Sequence, residues 1–454
     1  MTLTNFSEGE STLIISAKKG DEESGEFSAT TASTGALSRT TQTTDRSDEF
    51  PIDGGFEGWT CVIGGWFALF ATFGWLNSMG LFQTYYEAVL LSSYSASSIS
   101  WIFTTQLFLM WAGGALFGRI VDTYGTKYIA IVCTIACTFF VAMLSLSTEY
   151  YQIFLTQGVG FGLAASGLFS CGIVSTGQFF HKRKALALGI VLAGSSTGGV
   201  IHPIYLHFLI PKIGFPNAIR VNALVIASCG VVSCFLMRTR LPEKEWDPKA
   251  KFLDFALFRQ RIFAVYCLGT FFVVYGLFST WNYLPTMSLR HKFSDSLAIY
   301  TIVILNGSSI IGRILPAYLA DRFGRWNSIS IVSLMNAILL LAFWLPLEGN
   351  PNTTHAQVFA LSAMAGFATG ACISVFMPCV AELGPVESLG TRFGMYQTVI
   401  GFGGLTSLPI QGALIPQDHG SFSHLIIFSS VCILGGSMII SLARMLRVGF
   451  KLRG

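Results

Sequence analysis

The sequence predicts an all-α membrane protein, with twelve transmembrane helices in two pseudo-symmetric six-helix bundles. Three observations predict it. Charged residues make up 11% of the 454 positions, less than half the share usual in soluble domains, while 52% are hydrophobic. Apolar runs near 20 residues long recur from Trp59 onward, and each matches the apolar thickness of a bilayer at helical rise. A loop motif in one half returns 199 positions later in the other.

Taken in order, residues 1–50 are a different material. They are rich in Ser, Thr and Gly and carry nine Asp/Glu against four Lys/Arg. Such a segment cannot bury enough apolar surface to order itself, so a disordered tail is expected. It lacks the basic start and apolar core of a signal peptide, and it is too acidic and too poor in Arg for a mitochondrial presequence. Twelve apolar runs follow, centred near residues 71, 108, 137, 164, 195, 228, 272, 308, 336, 368, 402 and 434. They are too long, and alternate too little, for the strands of a closed barrel. RTRLPEKEWDPKAKFLDFALFRQR, residues 238–261, is a long charged loop between the sixth and seventh runs. It divides the chain into one bundle at 51–237 and a second at 262–454 with a short tail. The ten cysteines all fall inside apolar runs, which reads as small buried hydrophobes rather than disulfides or a zinc site.

Loop charges set the orientation. After residue 50 there are 24 Lys/Arg; with Arg313 set aside, 19 of the remaining 23 fall on the side that carries both termini. Lys212, Arg220, Arg290 and Lys292 lie on the other. The positive-inside rule then puts both termini in the cytoplasm, in a multi-pass protein of the plasma membrane or, alternatively, the vacuolar membrane. Asn352, in the outward-facing NTT, reads either as a glycosylation acceptor or as an unused sequon.

The repeated loop pairs GRIVDTYGTK (118–127) with AYLADRFGRW (317–326), each after an even-numbered span. Glycine there permits a tight reversal, and Asp122 and Asp321 can accept from a neighbouring helix N-terminus. Arg322 and Arg325 read either as a latch across the interface between halves or as plain cytoplasmic anchors. This pattern resembles the G-x-L-x-D-R-x-G-R-K loop of the major facilitator superfamily. The second copy matches at Leu319, Asp321, Arg322, Gly324 and Arg325; the first has Thr123 and Thr126 at the arginine positions. FFHKRKALALGIVLAG (179–194) and DGGFEGW (53–59) resemble signatures of the monocarboxylate transporter family, and the spacing and acidic tail resemble its fungal members. Basic residues 182–184 would anchor the fifth helix in an anionic leaflet, and Gly189, Ala193 and Gly194 would form a close-packing face.

Arg313 stands alone in ILNGSSIIGRILPAYLA (304–320), roughly two turns before Asp321, so about 11 Å into the apolar layer. A guanidinium there either snorkels to the headgroups or faces a cavity and takes an anion. The position 199 residues earlier is Gly114, so the charge is not part of the repeat. The family resemblance implies a substrate-anion arginine at this place in the eighth helix, and residue type agrees, since Arg can take a carboxylate bidentately. The same resemblance implies a lysine where this chain has Asn77, and an aspartate where it has Ser309. All fifteen acids after residue 50 lie near span ends or in loops. His202 is therefore the residue placed to titrate in a span, or else it is a packing residue beside Pro203.

Asn77, Asn282, Tyr283, Asn306 and Gln397 could line a cavity with Arg313, as could Gln106, or could bridge helices instead. Phe271, Phe272, Phe278, Trp281 and Phe376 could wall it. The expected activity is alternating-access transport, secondary active or facilitative, of a monocarboxylate or other small organic anion, with protons as a coupling ion to be tested. Efflux of a fungal secondary metabolite is the alternative, and a non-transporting nutrient sensor is a third reading. No nucleotide loop or paired intramembrane acids point to an enzyme, and no cofactor, metal or nucleic acid is expected. The bilayer and one small solute are the expected partners of a monomeric transport unit.

Overall fold

The computed structural model describes residues 53–244, 253–291, 295–417 and 421–449. The acidic tail at 1–50 and the middle of the charged loop at 238–261 lie outside the described residues. Among the described residues every regular element is helical. Twelve are long and apolar enough to cross a bilayer: α1 Gly55–Leu90, α2 Ser97–Tyr124, α3 Lys127–Leu144, α4 Tyr150–Phe179, α5 Lys184–Ile213, α6 Phe215–Leu236, α7 Arg261–Arg290, α8 Tyr300–Phe323, α9 Arg325–Glu348, α10 His355–Ala381, α11 Val386–Ile415 and α12 Ser423–Val448. All ten cysteines are free thiols.

Local chemistry sets the ends. Ser95 Oγ accepts from the Ser98 amide at 3.1 Å ahead of α2, and capping boxes Glu149–Gln152 and Thr354–Gln357 open α4 and α10. Gly125 and Gly324 close α2 and α8 at φ 74° and 98°, which lets the chain reverse at once into α3 and α9. Two spans are interrupted where it matters: α1 turns at Asn77–Ser78, and α7 breaks at Phe278. α5 runs unbroken through Pro203 and Pro211, which neighbouring helices make tolerable.

α1–α6 pack among themselves, α7–α12 likewise, and the halves meet chiefly along two seams, α5 on α8 and α2 on α11. Both seams bring backbone against backbone. A methyl on Gly189 would overlap the Arg313 carbonyl, and one on Gly118 the Gly390 carbonyl. The small residues of α5 do not form the single face expected. Gly194 meets the Trp66 carbonyl of α1 instead, because five residues turn a helix by about 140°. α5 is thus held between α1 and α8, and that junction builds the site.

Candidate functional site

The junction of α1, α5 and α8 holds three polar side chains. Arg313 is 2% exposed, and its Nη1 donates to the Leu192 carbonyl and to Ser195 Oγ, both on α5. Asn77, at the turn in α1, donates Nδ2 to the Ser195 carbonyl at 3.0 Å. Ser196 Oγ donates to Ser309 Oγ at 3.2 Å across the same seam. Arg313 Nε is buried with no partner, and no carboxylate pairs with the guanidinium among the described residues. The side chain thus neither snorkels to a headgroup nor faces lipid. An unpaired arginine at depth costs several kcal/mol, and the α5 oxygens offset part of that.

Arg313, Asn77 and Ser195 line a cavity between the halves. The rest of its lining is apolar or aromatic, including Phe73, Trp111, Phe169, Phe278, Trp281 and Phe376. The rings brace one another, Trp111 to Phe278 at 5.4 Å, Phe278 to Trp281 at 5.4 Å and Phe73 to Phe169 at 4.8 Å. The break at Phe278 turns 278 and 281 inward.

The remaining sequence candidates fall elsewhere. Asn306 is buried beside the junction, where its Oδ1 and Asn77 Nδ2 flank Gly199, while its Nδ2 caps the Ile302 carbonyl. Asn282 donates to Phe278 O of its own helix, and Tyr283 OH to Leu408 O of α11 at 2.9 Å. Gln397 packs on Gly114 in the α2–α11 seam. None of these four lines the cavity, nor do Gln106, Phe271 and Phe272. On α7 the cause is helical phase, since 282 and 283 project about 100° and 200° round from 281.

His202 does not face the cavity. Its ring lies 5.0 Å from Phe70 of α1, with Nδ1 2.9 Å from Asn222 Oδ1 of α6 and 2.9 Å from Tyr205 OH. That is a packing node inside the first bundle. Replacing His202 by Gln should leave the pH profile of transport unmoved while lowering stability by about 1 kcal/mol, read as an earlier thermal melt.

At the end where α1 begins and α12 finishes, each loop aspartate caps a helix of the opposite half. Asp122 accepts from the Gly390 amide at 2.9 Å, the Thr391 amide at 2.8 Å and Thr391 Oγ1 at 3.0 Å, at the start of α11. Asp321 accepts from the Ala185 and Leu186 amides at 3.1 and 2.8 Å, at the start of α5. Arg325 bonds Asp321, Glu382 and, across the seam, the His181 carbonyl at 2.7 Å. Arg322 does not cross. It is exposed and lies over the Tyr318 ring of its own helix at 4.4 Å.

The two signature segments prove to be one clamp. Asp53 Oδ1 accepts from the amides of His181, Lys182 and Arg183, and Trp59 meets Phe180 edge-on at 5.1 Å. Burial alone would raise the Asp53 carboxyl, but the three amides outweigh it and hold its pKa below the ordinary carboxylate value. They also hold Asp53 at φ 94°, a strained backbone for a residue with a side chain. Asn352 is exposed in the turn between α9 and α10.

The sequence profile of the Major Facilitator Superfamily matches residues 58–406. The chain belongs to the Major Facilitator Superfamily. "MFS transporter asaE" of Aspergillus flavus is 35% identical to it over 402 residues, covering 88% of this chain and 90% of that protein. The "Fujikurins efflux protein" of Gibberella fujikuroi is 36% identical over 401 residues, covering 88% and 85%. Among solved structures, the superfamily transporter FucP in its outward conformation superposes with a TM-score of 0.63 at 16% identity, over 85% of this chain and 98% of that one. The superfamily fold explains the geometry just described: two halves, a cavity between them, and polar ties that close one end.

Residues that sequence reasoning missed include Ser195 and the Leu192 carbonyl, the ligands of Arg313. Glu382 is another, since it joins Arg325 Nη1 at 2.7 Å to Trp326 Nε1 at 2.8 Å. For Glu382 a signal existed, an acid at the end of an apolar span facing a basic loop. For Ser195 none did.

Proposed function

We propose that this transporter exports an amphipathic organic anion, a ring-bearing acid of the kind that fungal secondary metabolism makes. The observation that carries the reading is Arg313, a buried guanidinium with no acid partner among the described residues, set in an otherwise apolar and aromatic cavity between the halves. The aromatic walls favour a large apolar body, at about 0.8 kcal/mol per buried methylene, and the guanidinium favours one negative group. The relatives named as efflux transporters support the direction. A small monocarboxylate meets the arginine and leaves the walls unmet, so it is the poorer cargo. The split of basic residues supports a cytoplasmic position for the aspartate-capped end.

The test is a substrate panel in proteoliposomes: short monocarboxylates, ring-bearing carboxylates and their neutral amides, on wild type and Arg313→Gln. Ring-bearing carboxylates should move fastest. The variant should lose their flux by about 10–100-fold, the worth of one or two hydrogen bonds to a charged group. Equal flux of every accepted anion through both proteins would reduce the arginine to a structural tie.

A further inference from the structure

Arg313 finds ligands within the protein itself. Its guanidinium, which belongs to the second half, donates to Leu192 O and Ser195 Oγ of the first. Asn77 holds Ser195 from behind through its carbonyl, and Ser196–Ser309 ties the same seam. These bonds cross the contact that must change when the halves rock. A carrier whose site cation were bare when unloaded would pay heavily to close around it, and would be confined to swapping one anion for another. Here α5 offers the guanidinium two neutral oxygens. Among the residues lining the cavity, Arg313 is the one ionisable side chain, so the lining holds no group to trade a proton against that charge.

We propose that the protein is an electrogenic uniporter: the empty carrier resets with Arg313 charged and docked on Leu192 and Ser195, so net anion flux is driven by the membrane potential. The inference rests on the reading of the cargo as an anion. A loaded site is neutral and an empty one carries a single positive charge, so voltage acts on the empty return. An inside-negative potential draws that charge inward and resets an exporter. Strict exchange would need no empty return, and proton co-transport would need a titrating group.

The return step can be observed without any cargo. The full chain is expressed in voltage-clamped oocytes, no anion substrate is added, and the membrane is stepped. A transient displacement of no more than one elementary charge per carrier is expected. It should keep its amplitude across roughly pH 5.5 to 7.5, where a guanidinium does not titrate. Arg313→Gln should abolish it. Ser195→Ala should keep the amplitude and slow the return about tenfold, having lost one hydrogen bond to a charged group. Surface labelling of each variant separates loss of movement from loss of protein. A silent wild type that still carries panel anions in an Arg313-dependent way overturns uniport and leaves the cargo reading standing. A transient that survives in Arg313→Gln, or shrinks with acid, overturns it as well. A transient with no panel anion carried removes the anion and with it the anion uniport, while the docked empty state stands.

Discussion

Replacing Gly118 by Leu should abolish transport while leaving the chain folded in the membrane. Gly118 of α2 faces the Gly390 carbonyl of α11, and one turn away Gly114 offers its carbonyl to Gly394. The seam is an antiparallel pair of glycines spaced four apart, and at 118 and 390 backbone meets backbone directly. A Cβ at 118 overlaps a carbonyl rather than a flexible side-chain end, so the seam can accommodate it only by parting. Over-packing an ordinary core costs about 1–3 kcal/mol, and a rigid backbone contact sits at the top of that range. The strain exists only in the state where this end is closed, so the equilibrium shifts toward its open form about 100-fold. Asp122 lies one turn further along, and its bonds to the Gly390 and Thr391 amides should be lost together with the contact. Hydrogen exchange should show those two amides deprotected and the helices of both bundles still protected. Retained protection at 390 and 391, with normal flux, would mean that the seam yields locally and is no part of the cycle.

How much of this was legible in the sequence depended on how rare the signal was. Twelve spans and the split of loop charges could be read because lipid imposes length and polarity everywhere at once. Asp122 and Asp321 could be read because a repeated acid in a basic loop has few structural uses. Arg313 stood out as the lone charge in its span. Its ligands did not, because a serine among many serines and a backbone carbonyl carry no distinguishing pattern. The aromatic wall was half legible: Phe278, Trp281 and Phe376 face inward, Phe271 and Phe272 do not. Spans apolar on every side give no phase from which to choose a face, and the break at Phe278 resets what phase there is. The meeting of Asp53 with the α4–α5 loop was hidden for another reason. The two segments lie more than a hundred residues apart, and each reads as a separate signature.

Removing the two caps should open the same end, and unequally. Each carboxylate receives at least two amides of the opposite half, and the cap taken as a unit is worth about 1.5–3 kcal/mol, because the freed amides find water once that end opens. The caps sit on different seams and share no partner, so Asp122→Ala with Asp321→Ala should add to roughly 3–6 kcal/mol, a shift of about 10²–10⁴ toward the open form. The single variants should differ. When Asp321 is lost, Arg325 still pairs with Glu382 and still reaches the His181 carbonyl, so the α5–α8 seam keeps a tie. At the first copy the arginine positions hold Thr123 and Thr126, which bond Arg119 O and Thr239 within their own half, and the tie to α11 is made instead by the exposed Lys244, whose Nζ donates to the Glu387 carbonyl at 2.8 Å. That single exposed bond holds less than the largely buried Arg325 with Glu382 and His181, so Asp122→Ala should open its end further than Asp321→Ala does. Exchange at the Gly390–Thr391 amides in one variant and the Ala185–Leu186 amides in the other would read each seam separately. Equal deprotection in the two single variants would show that Lys244 holds its seam as firmly as Arg325 holds the other, and that the repeat, despite its lost arginines, still works symmetrically.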